Sequence, residues 1–328
     1  MSKMTISQQG TELVGKLASL ITERRLPWRM SRWLDRRRLD AARARADSDA
    51  LLTPPVETGR ECLHFEVHVL LGRKHVGMTL WCVKSLLWAA GRKYTVVLHD
   101  DGSLSDDDVA TLERHLLNVR VVRRPQADAE VRGRLQHLPH AMRYRFSPKE
   151  TSDHRGVKYD MHVFALRLFD FNLVSNAKKV LVLDCDILFF KPPHEIMEWA
   201  EDPDRTGSLY SIEQYVPLRN ARNDITGYRR KYPLPTAANA GLLCLDKQIH
   251  DLDAIDGWIG RNLDKLDQLA TFEQHAYNYL LQIKGGGIAL PDTYSFNYTD
   301  DRVVASHFAI KNLFFENLHR LKPALPRV

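Results

Sequence analysis

Two aspartates stand two positions apart at the end of the apolar run KKVLVLDCDILFFKPP, residues 178–193. Residues i and i+2 of an extended strand point to the same side, so Asp184 and Asp186 can offer oxygens to one centre. Two such carboxylates lose hydration and repel each other, and a divalent cation would compensate for both effects. Magnesium and manganese accept carboxylate and phosphate oxygens as ligands. The run therefore predicts a metal site, with a solvated strand end as the alternative.

Four more polar residues and a glycine follow within predicted elements. Asn239 offers a hydrogen-bond donor and an acceptor to sugar hydroxyls, and Gly241 permits close approach to the backbone; the alternative is an ordinary strand start. Glu273 and Gln274 open a predicted helix, where a glutamate also suits the positive end of the helix dipole. His307 is either a third metal ligand or a structural histidine, since neutral imidazole can bind manganese.

Two lysines and two further aspartates are candidates for contact with a nucleotide. Lys158 and Lys311 can each bind a phosphate, and a solvated lysine is the alternative for either. Asp100 and Asp101 begin the segment DDGSLSDDD, whose aspartates and serines are typical of a solvated helix cap. Because these two residues follow a predicted strand, we expect that one of them lines a nucleotide pocket.

Strands and helices alternate from residue 65 onward. The pattern predicts strands at 65–71, 94–99, 119–122, 180–183 and within 237–246 and 303–308. It predicts helices at 75–90, 105–117, 160–174, 251–267 and 271–283. Such alternation favours a mostly parallel sheet flanked by helices, with ligands beyond the carboxyl ends of the strands. Residues 123–158 show little apolar periodicity and are predicted to form a long, partly ordered segment.

The first part of the chain differs in composition from the remainder. Residues 1–50 hold 11 Lys/Arg against 6 Asp/Glu, whereas the other residues hold 36 against 35. We predict a basic helical N-terminal arm and linker at 1–55 and a catalytic domain at 56–328. Trp28 and Trp33 lie among the arginines of the arm. Such a helix either contacts an anionic membrane peripherally or packs on the catalytic body with its arginines solvated.

Composition excludes several classes of protein. With 44% hydrophobic and 27% charged residues in 328, the chain is typical of a soluble globular protein. The net charge of +6 is concentrated in the arm, which disfavours a nucleic-acid partner. No run is long and apolar enough for a membrane span, and the N-terminus lacks a secretory core. The four cysteines form no C-x-x-C pair, so we expect free thiols and a cytoplasmic protein, with any membrane contact at the inner face.

The order of these motifs resembles that of the GT-A nucleotide-sugar glycosyltransferases, most closely family eight, the group of glycogenin and the bacterial lipopolysaccharide glycosyltransferases. The resemblance covers residues 65–316. It rests on Arg167 placed seventeen residues before Asp184, and on VLVLDCD, NAGLL, EQHAYN, LPDTYSFNY and the histidine of SHF. The chain departs from the family pattern at Glu273, usually aspartate, at His275, usually acidic, and at Ile310, usually glycine.

The resemblance implies a function as well as a GT-A fold. It implies a retaining hexosyltransferase that uses a nucleotide sugar, expected to be a UDP-sugar, and manganese or magnesium. It leaves the acceptor open among a carbohydrate, a lipid-linked acceptor and a protein. The metal ligands would be Asp184, Asp186 and His307, with Arg167 supporting the donor site. The residues around the sugar would be Asn239, Gly241, Glu273 and Gln274.

Two other functions remain open at this point. A phosphatase of the haloacid-dehalogenase type also carries D-x-D after an apolar strand, but its motif usually opens the domain. Here three predicted strand-and-helix units precede the motif. The second alternative is a nucleotide-sugar fold retained as a non-catalytic binding protein.

Overall fold

The computed structural model describes residues 28–321 except 60, 153–155, 157, 213–214, 220–224, 231–237 and 269–270. The chain divides into two units, residues 1–45 and 46–328. The predicted functional division at residue 55 stays a prediction. None of the helices in the described part of the chain combines the length and the apolar character needed to cross a membrane.

Helix α1 (Trp28–Leu51) lies in the predicted basic arm. Its sequence is rich in alanine, arginine and leucine, which favour helix. Within the first unit, the Trp33 side chain is half exposed, and the guanidinium of Arg37 lies 4.6 Å from the centre of its ring. The predicted apolar stripe before residue 28 lies outside the described residues. Contact of this arm with a membrane stays a prediction.

Strands and helices alternate through the second unit. The strands are β1 (Val56–Glu57), β2 (Phe65–Leu71), β3 (Thr95–Asp100), β4 (Leu116–Leu117), β5 (Arg120–Val122), β6 (Glu150–Ser152), β7 (Lys158–Asp160), β8 (Lys179–Asp184), β9 (Ile187–Phe189), β10 (Ser208–Ile212), β11 (Tyr215–Arg219), β12 (Ile225–Arg230), β13 (Ala238–Asp246), β14 (Gly287–Ala289), β15 (Tyr294–Phe296) and β16 (Ala305–His307). The helices after α1 are α2 (Val76–Ala90), α3 (Asp106–His115), α4 (Arg124–Leu135), α5 (Pro139–Phe146), α6 (Ala165–Val174), α7 (His194–Glu201), α8 (Leu252–Arg261), α9 (Leu263–Leu266), α10 (Phe272–Ile283) and α11 (Lys311–Asn317).

In the described part of the chain, seven strands form the central sheet, in the order β14, β10, β13, β8, β2, β3, β5. Neighbouring strands pair in parallel except at β13, which runs antiparallel to β8 and to β10. Strand β8 is buried on both faces: Leu181 and Leu183 pack into one core, and Val180 and Val182 into the other. Such a strand is a continuous apolar run in sequence. The predicted mostly parallel sheet flanked by helices is confirmed.

The carboxyl ends of three neighbouring parallel strands meet at one edge of this sheet. Asp184 ends β8 and pairs with Leu70 of β2. Asp100 ends β3 and pairs with Leu71, the last residue of β2. This edge is the place at which open α/β sheets bind ligands.

Two antiparallel pairings bring later parts of the chain to the same edge. Strand β13 runs opposite to β8, with Leu242 paired to Leu183, so the first residues of β13 lie near the end of β8. Strand β9 leaves the edge just after β8 and pairs with β16 in a separate three-stranded sheet, in which His307 is opposite Ile187. Residues far apart in sequence therefore meet beside Asp184.

The prediction for residues 123–158 was wrong, because the segment contains the helices α4 and α5. Ala127, Val131 and Leu135 are buried and recur every four residues, but this apolar stripe is short. Ion pairs complete the packing: Arg145 Nε and Nη2 donate to the two carboxylate oxygens of Asp170 on α6, at 2.6 and 2.7 Å. Local periodicity cannot reveal a helix whose arginine is buried against a distant aspartate.

Other boundaries agree closely with the predicted ones. Strand β2 has the predicted bounds, and Ser105 caps α3 in a reciprocal capping box with Asp108. Helix α3 ends at His115, two residues before the predicted end, because residues 116–117 pair in parallel with β1 as strand β4.

A buried lysine ties the segment before β1 to the body of the second unit. Lys84 on α2 is fully buried, and its Nζ donates to Thr53 Oγ1 at 2.7 Å and to the Pro54 carbonyl oxygen at 2.9 Å. His115 Nδ1 lies 3.2 Å from the same Nζ. These partners are neutral groups, and among the described residues no carboxylate forms a hydrogen bond or ion pair with the ammonium. Burial lowers the pKa of Lys84 to about 8.

We expect Lys84→Met to change how stability depends on pH. Between the folded and unfolded pKa values of Lys84 the unfolded chain holds a proton that the folded chain lacks, so stability rises with pH. From about pH 7.5 to about pH 9.5, the wild type should gain about 2 kcal/mol of unfolding free energy relative to the variant. Urea unfolding at both pH values measures this, with the exposed Lys265→Met as control. Parallel profiles for wild type and Lys84→Met would contradict the assignment.

Candidate active site

Three side chains that can bind a metal converge where β8 ends. Asp184 is the last residue of β8, Asp186 lies in the turn before β9, and His307 ends β16. One ligand atom of each lies within 4.8 Å of the other two. His307 Nε2 is 3.2 Å from Asp186 Oδ1 and 3.6 Å from Asp184 Oδ2. The three predicted ligands therefore lie together, although only Asp184 belongs to the strand.

The second oxygen of each aspartate forms an ion pair. Asp184 Oδ1 pairs with Arg167 Nη1, and Asp186 Oδ2 pairs with Lys311 Nζ. Burial alone would raise the pKa of Asp186, but the charges of Lys311 and His307 hold it well below its usual range. Burial alone would lower the pKa of Lys311, but Asp186 raises it. Asp186 and Lys311 are therefore a charged pair, while one oxygen of each aspartate faces His307.

Arg167 also pairs with a third carboxylate. Its Nη2 pairs with Glu273 Oε1, and Glu273 is fully buried at the start of α10. Glu273 Oε2 has no hydrogen-bond partner in the part of the chain that the structure describes. Burial raises the pKa of Glu273 even though the charge of Arg167 opposes this shift. The Tyr277 hydroxyl donates to the Arg167 carbonyl oxygen at 2.7 Å, so α10 holds α6 at this point.

Asn239 determines which nitrogen of His307 carries a hydrogen. Asn239 Oδ1 accepts the N–H of Gly241 at 2.7 Å, which identifies this atom as the amide oxygen. The same oxygen is 3.1 Å from His307 Nδ1, so Nδ1 must donate. In the neutral ring Nε2 then carries the lone pair and faces two carboxylate oxygens. Such an arrangement needs a cation between the three atoms, either a metal ion or a proton on Nε2.

Gly241 leaves space beside these atoms that no other residue would leave. A Cβ added there would lie 2.5 Å from His307 Cε1, 2.7 Å from Asp184 Oδ2 and 2.8 Å from Asn239 Oδ1. Two carboxylate oxygens and an imidazole nitrogen, oriented by an amide behind the ring, are a donor set that manganese or magnesium accepts. The residues present therefore fit a divalent cation held by Asp184, Asp186 and His307.

Helix α10 is joined to the first residues of β13 by side-chain amides. Gln274 Oε1 accepts the N–H of Ala240 at 3.2 Å. Asn278 accepts the N–H of Ala238 at 2.8 Å and donates to its carbonyl oxygen at 2.9 Å. The N-x-G and E-Q motifs, which lie far apart in sequence, thus form one wall of the site.

Three predicted residues make other contacts. Asp100 and Asp101 each accept backbone N–H groups of the turn after β3, at 2.7 to 3.1 Å. Lys158 is exposed and pairs with Glu150 on the neighbouring strand β6 at 2.7 Å. Within the described residues, none of these hydrogen bonds and ion pairs involves Asp184 or Asp186. The roles predicted for Asp100, Asp101 and Lys158 in nucleotide binding stay predictions.

Two residues not singled out from the sequence support the site. Asn297 has a positive φ of 56°; its N–H donates to the His307 carbonyl oxygen at 2.8 Å, and its Oδ1 accepts the N–H of Ile310 at 2.9 Å. The Cys82 thiol donates to the Asp184 carbonyl oxygen at 3.3 Å. Asparagine in the turn FNYTD is a sequence signal for positive φ. The contact of Cys82 depends on the packing of α2 and has no local signal.

Solved glycosyltransferase structures share this architecture. The galactosyltransferase LgtC, in complex with donor and acceptor sugar analogues, matches with a TM-score of 0.51 and 18% sequence identity, over 80% of this chain and 97% of that chain. An active-site mutant of LgtC matches with a TM-score of 0.50 and 17% identity over the same shares. The chain has the GT-A glycosyltransferase fold. Apo mouse xyloside xylosyltransferase 1 matches with a TM-score of 0.45 and 13% identity, over 78% of this chain and 99% of that chain.

The GT-A fold agrees with the resemblance to family eight found in the sequence. No protein-family model and no curated protein sequence matches the chain. Because the sequence identity to these structures is below 20%, the structural similarity establishes the fold alone. The match extends over nearly the whole of LgtC, a glycosyltransferase, and so gives no support to the phosphatase alternative.

We expect Gly241→Ala to disrupt the site and destabilise the fold by about 1–3 kcal/mol, since the added methyl overlaps a ring, a carboxylate and an amide. Urea unfolding measures the loss. Gly133→Ala is a matched control, because its helical position in α4 has nothing within 4 Å of the added Cβ. That variant should be neutral or more stable by up to about 1 kcal/mol. Equal stability of Gly241→Ala and wild type would contradict the described packing.

Proposed function

We propose that this protein is a metal-dependent glycosyltransferase that moves a hexose from a nucleotide-diphosphate sugar, a UDP-sugar, to an acceptor with retention of configuration. The observation that carries the proposal is the convergence of Asp184, Asp186 and His307 at the ligand-binding edge of a GT-A sheet. LgtC, which shares this fold, was solved with donor and acceptor sugar analogues. The proposed acceptor is a carbohydrate, a lipid-linked acceptor or a protein.

Asp184 Oδ2, Asp186 Oδ1 and His307 Nε2 would hold manganese or magnesium. A bound cation supplies positive charge that neutralises the donor diphosphate and stabilises it as a leaving group. Asn239 orients the imidazole for this task, because it accepts the Nδ1 hydrogen and so directs the Nε2 lone pair toward the carboxylates. Burial of these groups strengthens each of their electrostatic interactions.

The sugar is proposed to lie beside Glu273, Gln274 and Asn239. Glu273 supports this placement because its buried Oε2 is an acceptor without a donor among the described residues, and a sugar hydroxyl would be such a donor. Arg167 holds Asp184 and Glu273 at fixed positions through its two terminal nitrogens. The site would thus be organised before the donor binds, as electrostatic catalysis requires.

Lys311 is proposed to contact the diphosphate. Its side chain is 28% exposed and so is reachable from solvent beside the metal ligands. Asp100 or Asp101, after the neighbouring strand β3, is proposed to line the nucleoside pocket. Lys158 is the second candidate for contact with a phosphate.

We expect the wild type to hydrolyse a UDP-sugar slowly when manganese is present. Asp186→Asn should lower this rate about a hundredfold or more, because the substitution removes a negative charge that holds the cation. UDP release from a panel of nucleotide sugars, with manganese or with a chelator, measures the rates. Asp204→Asn, at an exposed turn, is the matched control. Binding of UDP without turnover of any donor would favour the non-catalytic alternative, and full activity of Asp186→Asn would exclude the proposed metal role.

We expect Asn239→Ala to weaken Mn²⁺ binding about 10- to 100-fold, because His307 loses the acceptor that fixes its tautomer. Asn239→Asp should bind Mn²⁺ as tightly as the wild type or more tightly, since a carboxylate can accept both N–H groups. Electron paramagnetic resonance of free Mn²⁺ in nucleotide-free protein measures the affinity without reference to activity. Unchanged affinity in Asn239→Ala would show that the amide does not orient the ligand.

A further inference from the structure

Lys311 is the ammonium that pairs with Asp186 in the cluster, on the carboxylate oxygen that does not face His307. Asp186 is 5% exposed, and a buried carboxylate without a positive partner is strongly destabilising. Arg167 cannot serve both aspartates, because its terminal nitrogens are paired with Asp184 and Glu273. The Lys311 ammonium pairs with Asp186 Oδ2, beside the oxygen that faces His307.

Helix stability does not explain a lysine at this position. Lys311 is the first residue of α11, where the positive end of the helix dipole disfavours a cation. The preceding residue, Ile310, provides no side-chain cap. The ion pair with Asp186 compensates for this unfavourable placement, so the position of Lys311 is linked to the candidate metal site.

The backbone around Lys311 is fixed, but its side chain can leave Asp186. The Phe308 N–H donates to the Asp186 carbonyl oxygen at 2.9 Å, and the Ile310 N–H donates to Asn297 at 2.9 Å. These bonds hold the loop between β16 and α11. The Lys311 side chain is partly exposed and unbranched, so rotation about its own bonds can move the ammonium without moving the loop.

We propose that Lys311 is an exchangeable counter-ion. Its ammonium neutralises Asp186 when no divalent cation is bound; a cation that binds Asp186 displaces the ammonium, which then contacts the diphosphate of the donor. The inference rests on the proposed function, because it uses the metal and the diphosphate of that reaction. Two cations on one carboxylate repel each other, and the displaced ammonium needs a new anionic partner.

The exchange has opposite effects on the affinity for the divalent cation and on the affinity for the nucleotide. Lys311 opposes binding of a divalent cation to the nucleotide-free protein, because the cation must replace an ion pair. Lys311 favours binding of the nucleotide once the cation is present, because the released ammonium pairs with a phosphate. The cation and the nucleotide should therefore bind cooperatively, each raising the affinity for the other by the same factor.

The test measures both affinities in Lys311→Met. Mn²⁺ binding to nucleotide-free protein is measured by electron paramagnetic resonance, and UDP binding at saturating Mn²⁺ by calorimetry. We expect Lys311→Met to bind Mn²⁺ at least about tenfold more tightly than the wild type does. A positive charge within about 4–6 Å lowers the affinity of a carboxylate for a proton by about one to three orders of magnitude, and its removal should raise the affinity for Mn²⁺ in the same direction. We expect UDP to bind about tenfold more weakly, through loss of one charge-assisted hydrogen bond.

Three further variants make the result specific. Lys311→Arg keeps the charge and should stay closer to the wild type than Lys311→Met in both affinities. Lys311→Gln keeps a hydrogen-bond donor without charge and should behave as Lys311→Met does, which provides the test if methionine lowers stability. Lys265→Met removes an exposed lysine elsewhere and should bind both ligands as the wild type does. Thermal unfolding with a chelator verifies that each variant is folded.

Three results would contradict the inference, and they are distinguishable. Equal or weaker Mn²⁺ binding by Lys311→Met, with a wild type that binds both ligands, overturns the counter-ion role and leaves the proposed function intact. Unchanged UDP affinity in Lys311→Met overturns the transfer of the ammonium to the diphosphate. A wild type that binds neither Mn²⁺ nor UDP refutes the proposed function itself, and the inference with it.

Discussion

Three carboxylates meet in the interior of this protein, and the rest of the site depends on how their charges are compensated. Asp184, Asp186 and Glu273 each lose hydration on folding and repel one another, so each needs a positive partner within hydrogen-bonding distance. Arg167 serves two of them from α6, and Lys311 serves the third from α11. The ion pairs use one oxygen of each carboxylate. The remaining aspartate oxygens and the His307 lone pair form the opening that fits a divalent cation.

The antiparallel direction of β13 brings Asn239 and Gly241 to the cluster of aspartates. If β13 ran parallel to β8, the N-x-G motif would lie at the opposite edge of the sheet. Because β13 runs antiparallel, Asn239 and Gly241 lie beside the end of β8, where one amide oxygen serves both the backbone turn and His307. The antiparallel pairing of β9 with β16 similarly places His307 next to Asp186. The end of β8 and the turn after it thus supply the two aspartates, and the antiparallel pairings bring the amide of Asn239 and the imidazole of His307 to them.

Local signals in the sequence predicted local features well. The apolar runs of β2 and β8 and the helix cap before α3 depend on neighbours in sequence, and each was predicted within a few residues. Helix α4 was missed because its apolar stripe is short, and α5 was missed because its charged Arg145 is buried against Asp170. The contacts of Asn297 were likewise missed, since the loop that it holds belongs to a later part of the chain.

The sequence by itself determined the acidic pair at the end of an apolar strand, the alternation of strands and helices, and the order of the motifs that resemble family eight. These features follow from residue type and from the periods of strand and helix, which are local properties of the chain. Only the tertiary structure decided that Lys311 pairs with Asp186, that Arg167 bridges Asp184 and Glu273, and that Asn239 sets the tautomer of His307. Such pairings depend on distances between residues up to 125 positions apart, which strand direction and register determine and local sequence does not encode.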